Sequence, residues 1–328
     1  MKVRTTSLVV LGLALALVLV AGLRPVGFDR DSLNYAAILG TDFGGVLFGA
    51  REPTFWLIDR ISQVIPGDHV TNFFLIYALL GVALKLSFIA RYSQLPIFSV
   101  FVYVALYFVG HEMTQIRTGV AAGIYLFALA SLSRGDRRGF TLMTLLATCF
   151  HYSAVVGLVM MFAHRLVMSR PLLLCVPFAG VAVGQLIGLG LIELVASAVL
   201  PSAISARLDI YLELLNGGEF AVINLFNPVS MSYLLVYLVL VVSRPKELNP
   251  LSNALLLSFG LGLAGYFAFS ILPVLAFRVM EFMTIGVIVL MANATLWWRQ
   301  KQLWICFSAI WCMAVFFTQS LVVSLGVI

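Results

Sequence analysis

The residues best suited to chemistry lie in one largely apolar stretch, residues 107–158. Its first apolar segment carries four polar side chains, and its second carries a lone histidine, His151; a basic turn, residues 133–139, separates the two segments. Ionisable groups within hydrocarbon cost about 2.5 to 3.5 kcal/mol each on insertion scales, so they are functional candidates by default. The four polar side chains are His111, Glu112, Gln115 and Arg117.

The composition excludes a water-soluble protein. Of 328 residues, 62% are hydrophobic and 10% are charged, and the mean hydropathy is +1.06. A soluble surface needs far more charge, so the sequence predicts an all-α polytopic membrane protein. The net charge of +6 would suggest nucleic acid in a soluble chain, but here its distribution between loops explains it better. The four cysteines lie in apolar runs without metal-ligand spacing, and no metal or cofactor site is expected.

A bilayer span needs about 20 apolar residues, fewer where helices are short or broken. The sequence predicts about eleven membrane segments in a single integral domain, residues 1–328, with long outer loops at 24–69 and 193–228. Lys2 and Arg4 precede the first segment, and no small-residue cleavage site follows it, which favours a retained span. The segments are 7–23, 70–90, 95–110, 116–132, 140–150, 154–163, 171–192, 229–242, 251–269, 276–296 and 303–323.

The basic residues assign the loops to sides. With the N terminus in the cytoplasm, the inner loops collect 13 basic residues, Lys85 among them, against two acids, and the outer face holds seven arginines and twelve acids. This assignment requires residues 140–163 to turn back at His151, because one continuous helix would move the later basic clusters outside. The sequence therefore predicts a short helical hairpin with its tip at His151, where non-helical backbone must line a wet cavity or be buried in protein.

The outer face carries arginines but no lysine. The planar guanidinium binds carboxylate or phosphate oxygens through two hydrogen bonds and keeps its charge when partly desolvated. We expect Arg117, Arg278 and Arg51 to converge on a doubly charged phosphate ester. The alternative is local neutralisation, with Arg278 paired to Glu281 at i and i+3 and Arg51 paired to Glu52.

His151 is a candidate general base. An imidazole in a cavity titrates near neutral pH and can take a proton from a hydroxyl nucleophile. The alternatives are a satisfied core histidine or an interface anchor. Three carboxylates, Glu52, Glu112 and Glu281, are rival bases.

Two short motifs resemble those of EpsG-like and Wzy-like polysaccharide polymerases. They are QIRTGVA at residues 115–121 and LATCFHYSA at residues 146–154. The Tyr35 region, residues 52–55, and Arg278 with Glu281 also lie where that family has comparable residues. The resemblance extends over roughly residues 34–290.

This resemblance implies a multi-span glycosyltransferase of the GT-C type in the bacterial inner membrane, with its active site facing the periplasm. Such enzymes join oligosaccharide repeat units carried on undecaprenyl pyrophosphate and release the carrier, without metal or nucleotide. The lipid bilayer and the undecaprenyl-pyrophosphate-linked oligosaccharide are then the partners, and a chain-length regulator is a further one; nucleic acid is not.

The implied roles divide the candidate residues into two sets. Catalysis would fall to His151, or to Glu281 or Glu112. Pyrophosphate and sugar would be held by Arg117, Arg278, Arg51, Arg207, Gln115, Glu52, Tyr35 and Tyr211. Rival functions are a flippase or transporter of lipid-linked sugars and an O-antigen ligase-type transferase. A transporter would be expected to show internal repeats, and the sequence shows none.

Overall fold

The computed structural model describes residues 2–40, 52–163, 169–186, 224 and 226–324. All regular elements within these residues are helical. A π-helical stretch, Val104–Thr114, continues α5, and 3-10 turns occur at Tyr152–Leu158 and Ala294–Trp297. The α-helices are α1 (Lys2–Gly22), α2 (Arg30–Ile38), α3 (Pro53–Val64), α4 (His69–Tyr92), α5 (Pro96–Tyr103), α6 (Ile116–Ser133), α7 (Arg137–Phe150), α8 (Val159–Ala163), α9 (Arg170–Leu186), α10 (Pro228–Ser243), α11 (Pro250–Ala268), α12 (Pro273–Thr284), α13 (Val287–Asn293) and α14 (Lys301–Ser324).

The described residues contain five helices that are long and apolar enough to cross a membrane, or six if one bent pair counts as a span. The five are α4, α5 with its π-helical continuation, α6, α11 and α14; the pair is α12 with the helix that follows it, bent by 43°. The prediction of about eleven segments is not confirmed, because helices such as the 16-residue α10 are too short to cross alone. The first predicted loop contains α2 and α3, and residues 193–223 of the second lie outside the described residues.

The chain turns back at His151. Helix α7 ends at Phe150, and His151 has an extended backbone with φ −153° and ψ 119°. The hydroxyl of Thr141 lies 3.6 Å from the sulfur of Met161, so residues ten positions before and after His151 face each other. The two limbs therefore run antiparallel, with His151 at the tip, which is the turn that the charge distribution predicts.

Helix α6 is the centre of the bundle, and it places Arg117 in its first turn. Nearly all of its residues are buried, and it packs against α4, α7 and α11. Small residues allow these close approaches. A Cβ atom on Gly119, for example, would overlap the carbonyl oxygen of His111 in the π-helical stretch. The start of α6 and the end of the π-helical stretch are thus held in direct contact.

A buried ion pair fastens these elements together. Lys85 of α4 is fully buried and pairs with Glu112 of the π-helical stretch. Its ammonium also donates to the carbonyl oxygen of Gly119 at 2.7 Å, and the Tyr103 hydroxyl donates to Glu112 at 2.9 Å. The assignment of Lys85 to a cytoplasmic loop is therefore wrong, because it lies inside α4 with its charge neutralised by a carboxylate. Breaking a buried pair leaves an uncompensated charge in a medium that solvates it poorly.

Replacing Lys85 with methionine should destabilise the protein by about 3 to 5 kcal/mol, because Glu112 is left buried without its cation. The thermal unfolding midpoint of the detergent-purified variant measures this. Lys301→Met removes an exposed lysine at the start of α14 and is the matched control. An unfolding midpoint for Lys85→Met equal to that of the control would contradict a structural role for the pair.

Candidate active site

Three helix ends meet around one carboxylate. Glu52 precedes α3, Arg117 lies in the first turn of α6, and His151 follows α7. One oxygen of Glu52 forms an ion pair with Arg117, and the other lies 3.1 Å from Nδ1 of His151. The Glu52 side chain is only 4% exposed, so it bridges a cation and an imidazole in a largely desolvated place.

The local sequence explains why Glu52 reaches His151. Pro53 occupies the first position of α3, where its missing N–H costs nothing, and Glu52 stays extended just before it. The hydroxyl of Thr54 then donates to the carbonyl oxygen of Cys149 at 2.7 Å. This bond ties the start of α3 to the end of α7 and brings Glu52 beside His151.

Two aromatic rings support Arg117. Its guanidinium carbon lies 5.7 Å from the ring centroids of both Tyr35 and Phe55, within the range of cation–π attraction. The two rings stack on each other with their centroids 6.2 Å apart. The Tyr35 side chain is buried, with 4% of its surface exposed, and its ring lies against the guanidinium of Arg117.

A second group of polar residues comes from α12. The side-chain amide of Gln115 donates to Glu281 at 2.8 Å. Arg278 lies one turn before Glu281, and its charge acts on both Glu281 and His151. Within the described part of the chain Arg278 forms no ion pair. The Arg278–Glu281 ion pair, which was the alternative to phosphate binding, is therefore not present there. The guanidinium of Arg278 is half-buried and near enough to His151 to act on it electrostatically.

Several buried polar atoms on these elements have no hydrogen-bond partner within the described residues. Buried polar atoms in proteins are nearly always paired, so the unpaired ones on these elements are candidates for hydrogen bonds to a polar ligand or to water. His111 is a member that the sequence marks only as polar, and both of its ring nitrogens are unpaired. The other members are Nε2 of His151, Oε1 of Gln115, Nε of Arg117 and Oγ of Ser153.

The remaining predicted site residues divide into two cases. Glu112 is present, but its pairing with Lys85 and Tyr103 favours a structural role over that of a base. Arg51, Arg207 and Tyr211 lie outside the described residues. Among the described residues, no group of three or more His, Cys, Asp or Glu side chains could hold a metal ion.

Arg24, another of the predicted outer arginines, has a structural role. Its guanidinium pairs with Asp29 at 2.8 Å and donates to the carbonyl oxygen of Met113 at 2.5 Å. It also lies 4.0 Å from the ring centroid of Phe74. Arg24 therefore fixes the chain after α1 against the π-helical stretch, and its side chain is almost fully buried.

Comparison with known proteins decides the family. The model of the EpsG family matches residues 7–325, nearly the whole chain. The chain belongs to the EpsG family. EpsG proteins form a Wzy-like polysaccharide polymerase family, so this member is a glycosyltransferase-like polymerase of polysaccharide biosynthesis. No curated protein and no solved structure matches the chain significantly.

The bridging carboxylate of this EpsG member stays ionised down to low pH. Burial raises the pKa of Glu52, but the hydrogen bond with His151 and the charge of Arg117 together outweigh it, so the pKa lies below its ordinary value of 4.5. An ionised Glu52 accepts the hydrogen on Nδ1 of His151. The neutral imidazole then carries its free lone pair on Nε2, the nitrogen without a partner within the described residues.

Acid should destabilise the protein through Glu52. A carboxyl whose folded-state pKa is depressed adds stability above its ordinary pKa, and that stability is lost as the pH falls through the folded-state pKa. The unfolding midpoint of the wild type should therefore fall as the pH drops below about 4.5, and that of Glu52→Gln should fall less steeply. Glu247→Gln, which changes an exposed carboxyl, should follow the wild-type curve. Parallel curves for all three proteins would show that Glu52 carries no such linkage.

Proposed function

We propose that this protein polymerises oligosaccharide repeat units carried on undecaprenyl pyrophosphate. It would be a metal-independent, GT-C-type glycosyltransferase of the bacterial inner membrane, acting at the periplasmic face. Membership of the EpsG family supports the polymerase activity. The observation that carries the assignment of the site is the guanidinium of Arg278, which has no ion pair among the described residues and acts electrostatically on His151, the histidine linked through Glu52 to Arg117.

The arginines would hold the leaving group. A pyrophosphate departing from a sugar develops charge on its bridging oxygen, and fixed cations in a desolvated site stabilise that charge. Arg278 has no competing ion pair within the described residues and would bind the phosphate directly. The Nε–H of Arg117 has no partner among the described residues while Glu52 holds the rest of the guanidinium, and Arg117 would contribute to phosphate binding from its place against the Tyr35 ring.

His151 would act as the general base. The acceptor hydroxyl, on the non-reducing end of the incoming unit, transfers its proton to Nε2 while its oxygen attacks the anomeric carbon of the donor sugar. The bond from that carbon to the pyrophosphate oxygen breaks, and the electron pair leaves with undecaprenyl pyrophosphate. Glu52 is then a positioning residue, because it fixes the imidazole tautomer and stabilises the imidazolium that forms.

Gln115, held in place by Glu281, would bind the sugar. The side-chain NH₂ of Gln115 is held by Glu281, and Oε1 of Gln115, which has no partner among the described residues, would accept a hydrogen bond from a sugar hydroxyl. Glu281 remains the second candidate base, since it lies one turn after Arg278 on α12 and binds the side-chain amide of Gln115. Arg51, Arg207 and Tyr211 keep the roles implied by the family resemblance.

A reconstituted polymerisation assay tests the function. Purified protein in vesicles, given one lipid-linked repeat unit, should produce a ladder of chain lengths and release the carrier. Arg278→Ala should slow this by about 10²- to 10³-fold, the usual loss when one donor to a developing anion is removed, at unchanged protein abundance. Arg60→Ala, which removes an exposed arginine on α3, is the matched control.

The same assay separates the rival functions. Substrate that crosses the vesicle membrane with its bonds intact would indicate a transporter, and a requirement for a second kind of acceptor would indicate a ligase. A full ladder from Arg278→Ala would remove Arg278 from the site.

His151→Gln should lower the polymerisation rate by about 10²- to 10⁴-fold, the usual contribution of a general base. The wild-type rate should fall at low pH as the imidazole becomes protonated, and the residual rate of the variant should lack this step. His69→Gln is the control. Nε2 of His69 lies 2.7 Å from a carboxylate oxygen of Asp59, so His69 pairs with a different acid and not with Glu52. If His151→Gln keeps the wild-type rate and pH profile, Glu281 becomes the candidate base.

A further inference from the structure

One buried histidine takes no part in the proposed reaction. His111 lies in the π-helical stretch, and only 1% of its surface is exposed. Neither of its ring nitrogens has a hydrogen-bond partner among the described residues. Roughly 90% or more of the buried polar groups in proteins are paired, so we expect a bound molecule to pair with this ring.

The segment that carries His111 is fixed to α12 at both ends. The ring of Tyr107 lies against the His111 ring, with centroids 5.2 Å apart, and the Tyr107 hydroxyl donates to the carbonyl oxygen of Thr284 at 2.9 Å. Four residues after His111, the side-chain NH₂ of Gln115 donates to Glu281 at 2.8 Å. His111 therefore keeps a defined place relative to the helix that carries Glu281.

The neighbours of His111 favour its neutral form. The charges of Lys85 and His151 both act on His111, so a protonated His111 would be repelled by the ammonium and by any imidazolium formed at His151. No carboxylate forms an ion pair with His111 within the described residues. A neutral imidazole offers one N–H donor and one nitrogen lone pair.

Sugar hydroxyls match both of these groups. A hydroxyl can donate to the lone pair or accept from the N–H. A phosphate or carboxylate oxygen only accepts, so an anion would leave the lone pair of the imidazole unpaired. His111 therefore suits an uncharged ligand rich in hydroxyl groups, and not the pyrophosphate.

We propose that His111 binds a sugar hydroxyl of the repeat unit and thereby helps to select it. The inference rests on the proposed function, which brings a sugar to His151 and Gln115. Among the described residues those two side chains also present unpaired atoms, Nε2 and Oε1. His111 lies four residues before Gln115 and close enough to His151 for the charge of His151 to act on it. Three polar side chains would thus contact the sugar.

A bound water molecule does not remove this selectivity. Water can pair with His111 in the empty protein, and a sugar hydroxyl that displaces the water restores the same hydrogen bond. A ligand without a hydroxyl at that position displaces the water and leaves a buried nitrogen unpaired. The resulting loss in affinity should be about 10- to 100-fold, the usual effect of one unpaired buried polar group.

Binding to the detergent-purified, full-length protein tests the proposal without turnover. One probe is the free oligosaccharide, released by mild acid from the lipid-linked repeat unit, which has no leaving group. The other probe is undecaprenyl pyrophosphate, the carrier without sugar. In isothermal titration, His111→Leu should bind the oligosaccharide about 10- to 100-fold more weakly than the wild type and should bind the carrier equally well.

His111→Gln is the matched variant, because glutamine retains a hydrogen-bond donor and an acceptor. Its affinity for the oligosaccharide should be closer to that of the wild type than to that of His111→Leu. The thermal unfolding midpoint separates binding from a structural role. Without ligand, His111→Leu should unfold at or above the wild-type midpoint, because leucine removes two buried nitrogens that lack partners within the described residues.

Equal oligosaccharide affinities of the wild type and His111→Leu would mean that only water pairs with the ring, and would overturn the inference. No binding by the wild type, an equal loss in the Leu and Gln variants, or a fall in the unfolding midpoint of His111→Leu like that of Lys85→Met would also overturn it. A chain-length ladder from the wild type alongside any of these results would leave the polymerase reaction standing without His111. Oligosaccharide binding that depends on His111, with no ladder from the wild type, would uphold the inference and reject the polymerase reaction.

Discussion

A single desolvated carboxylate organises the candidate site. Glu52 touches a guanidinium from α6 and an imidazole from the end of α7, and it is itself set by the proline that starts α3. An ionised carboxylate buried to this degree needs such partners, since an unpaired charge would be too costly to keep. The three helix ends are therefore interdependent, and each of them limits how far the other two can move.

Much of this arrangement could be predicted from the sequence. Charged side chains in apolar runs are rare and costly, so Arg117, Glu281 and His151 stood out from their surroundings. The count of basic residues on either side of residues 140–163 required a turn at His151, and the structure has one. The positions of charged residues were informative because burying an unneeded charge in the membrane costs free energy.

Other features could not be read from the sequence, because they depend on which helices are neighbours. Lys85 resembles a charge at the end of a span, and only the packing of α4 against the π-helical stretch shows its pairing with Glu112. Glu52 resembles an ordinary loop acid until Thr54 is seen bound to Cys149, which lies 95 residues away in the chain. The predicted number of spans is not confirmed within the described residues, because hydropathy also detects apolar helices that are shorter than a full span.

The π-helical stretch limits which mutations this chain can accept. Its 11 residues follow the π-helical pattern, in which the backbone N–H of residue i+5 donates to the carbonyl of residue i. The backbone N–H of Gln115, for example, donates to the carbonyl oxygen of Gly110 at 2.7 Å. Wider turns of this kind change the direction of every later side chain relative to a regular α-helix. Loss or gain of one residue here would rotate Glu112 away from Lys85, so this segment should accept substitutions far more readily than changes in length.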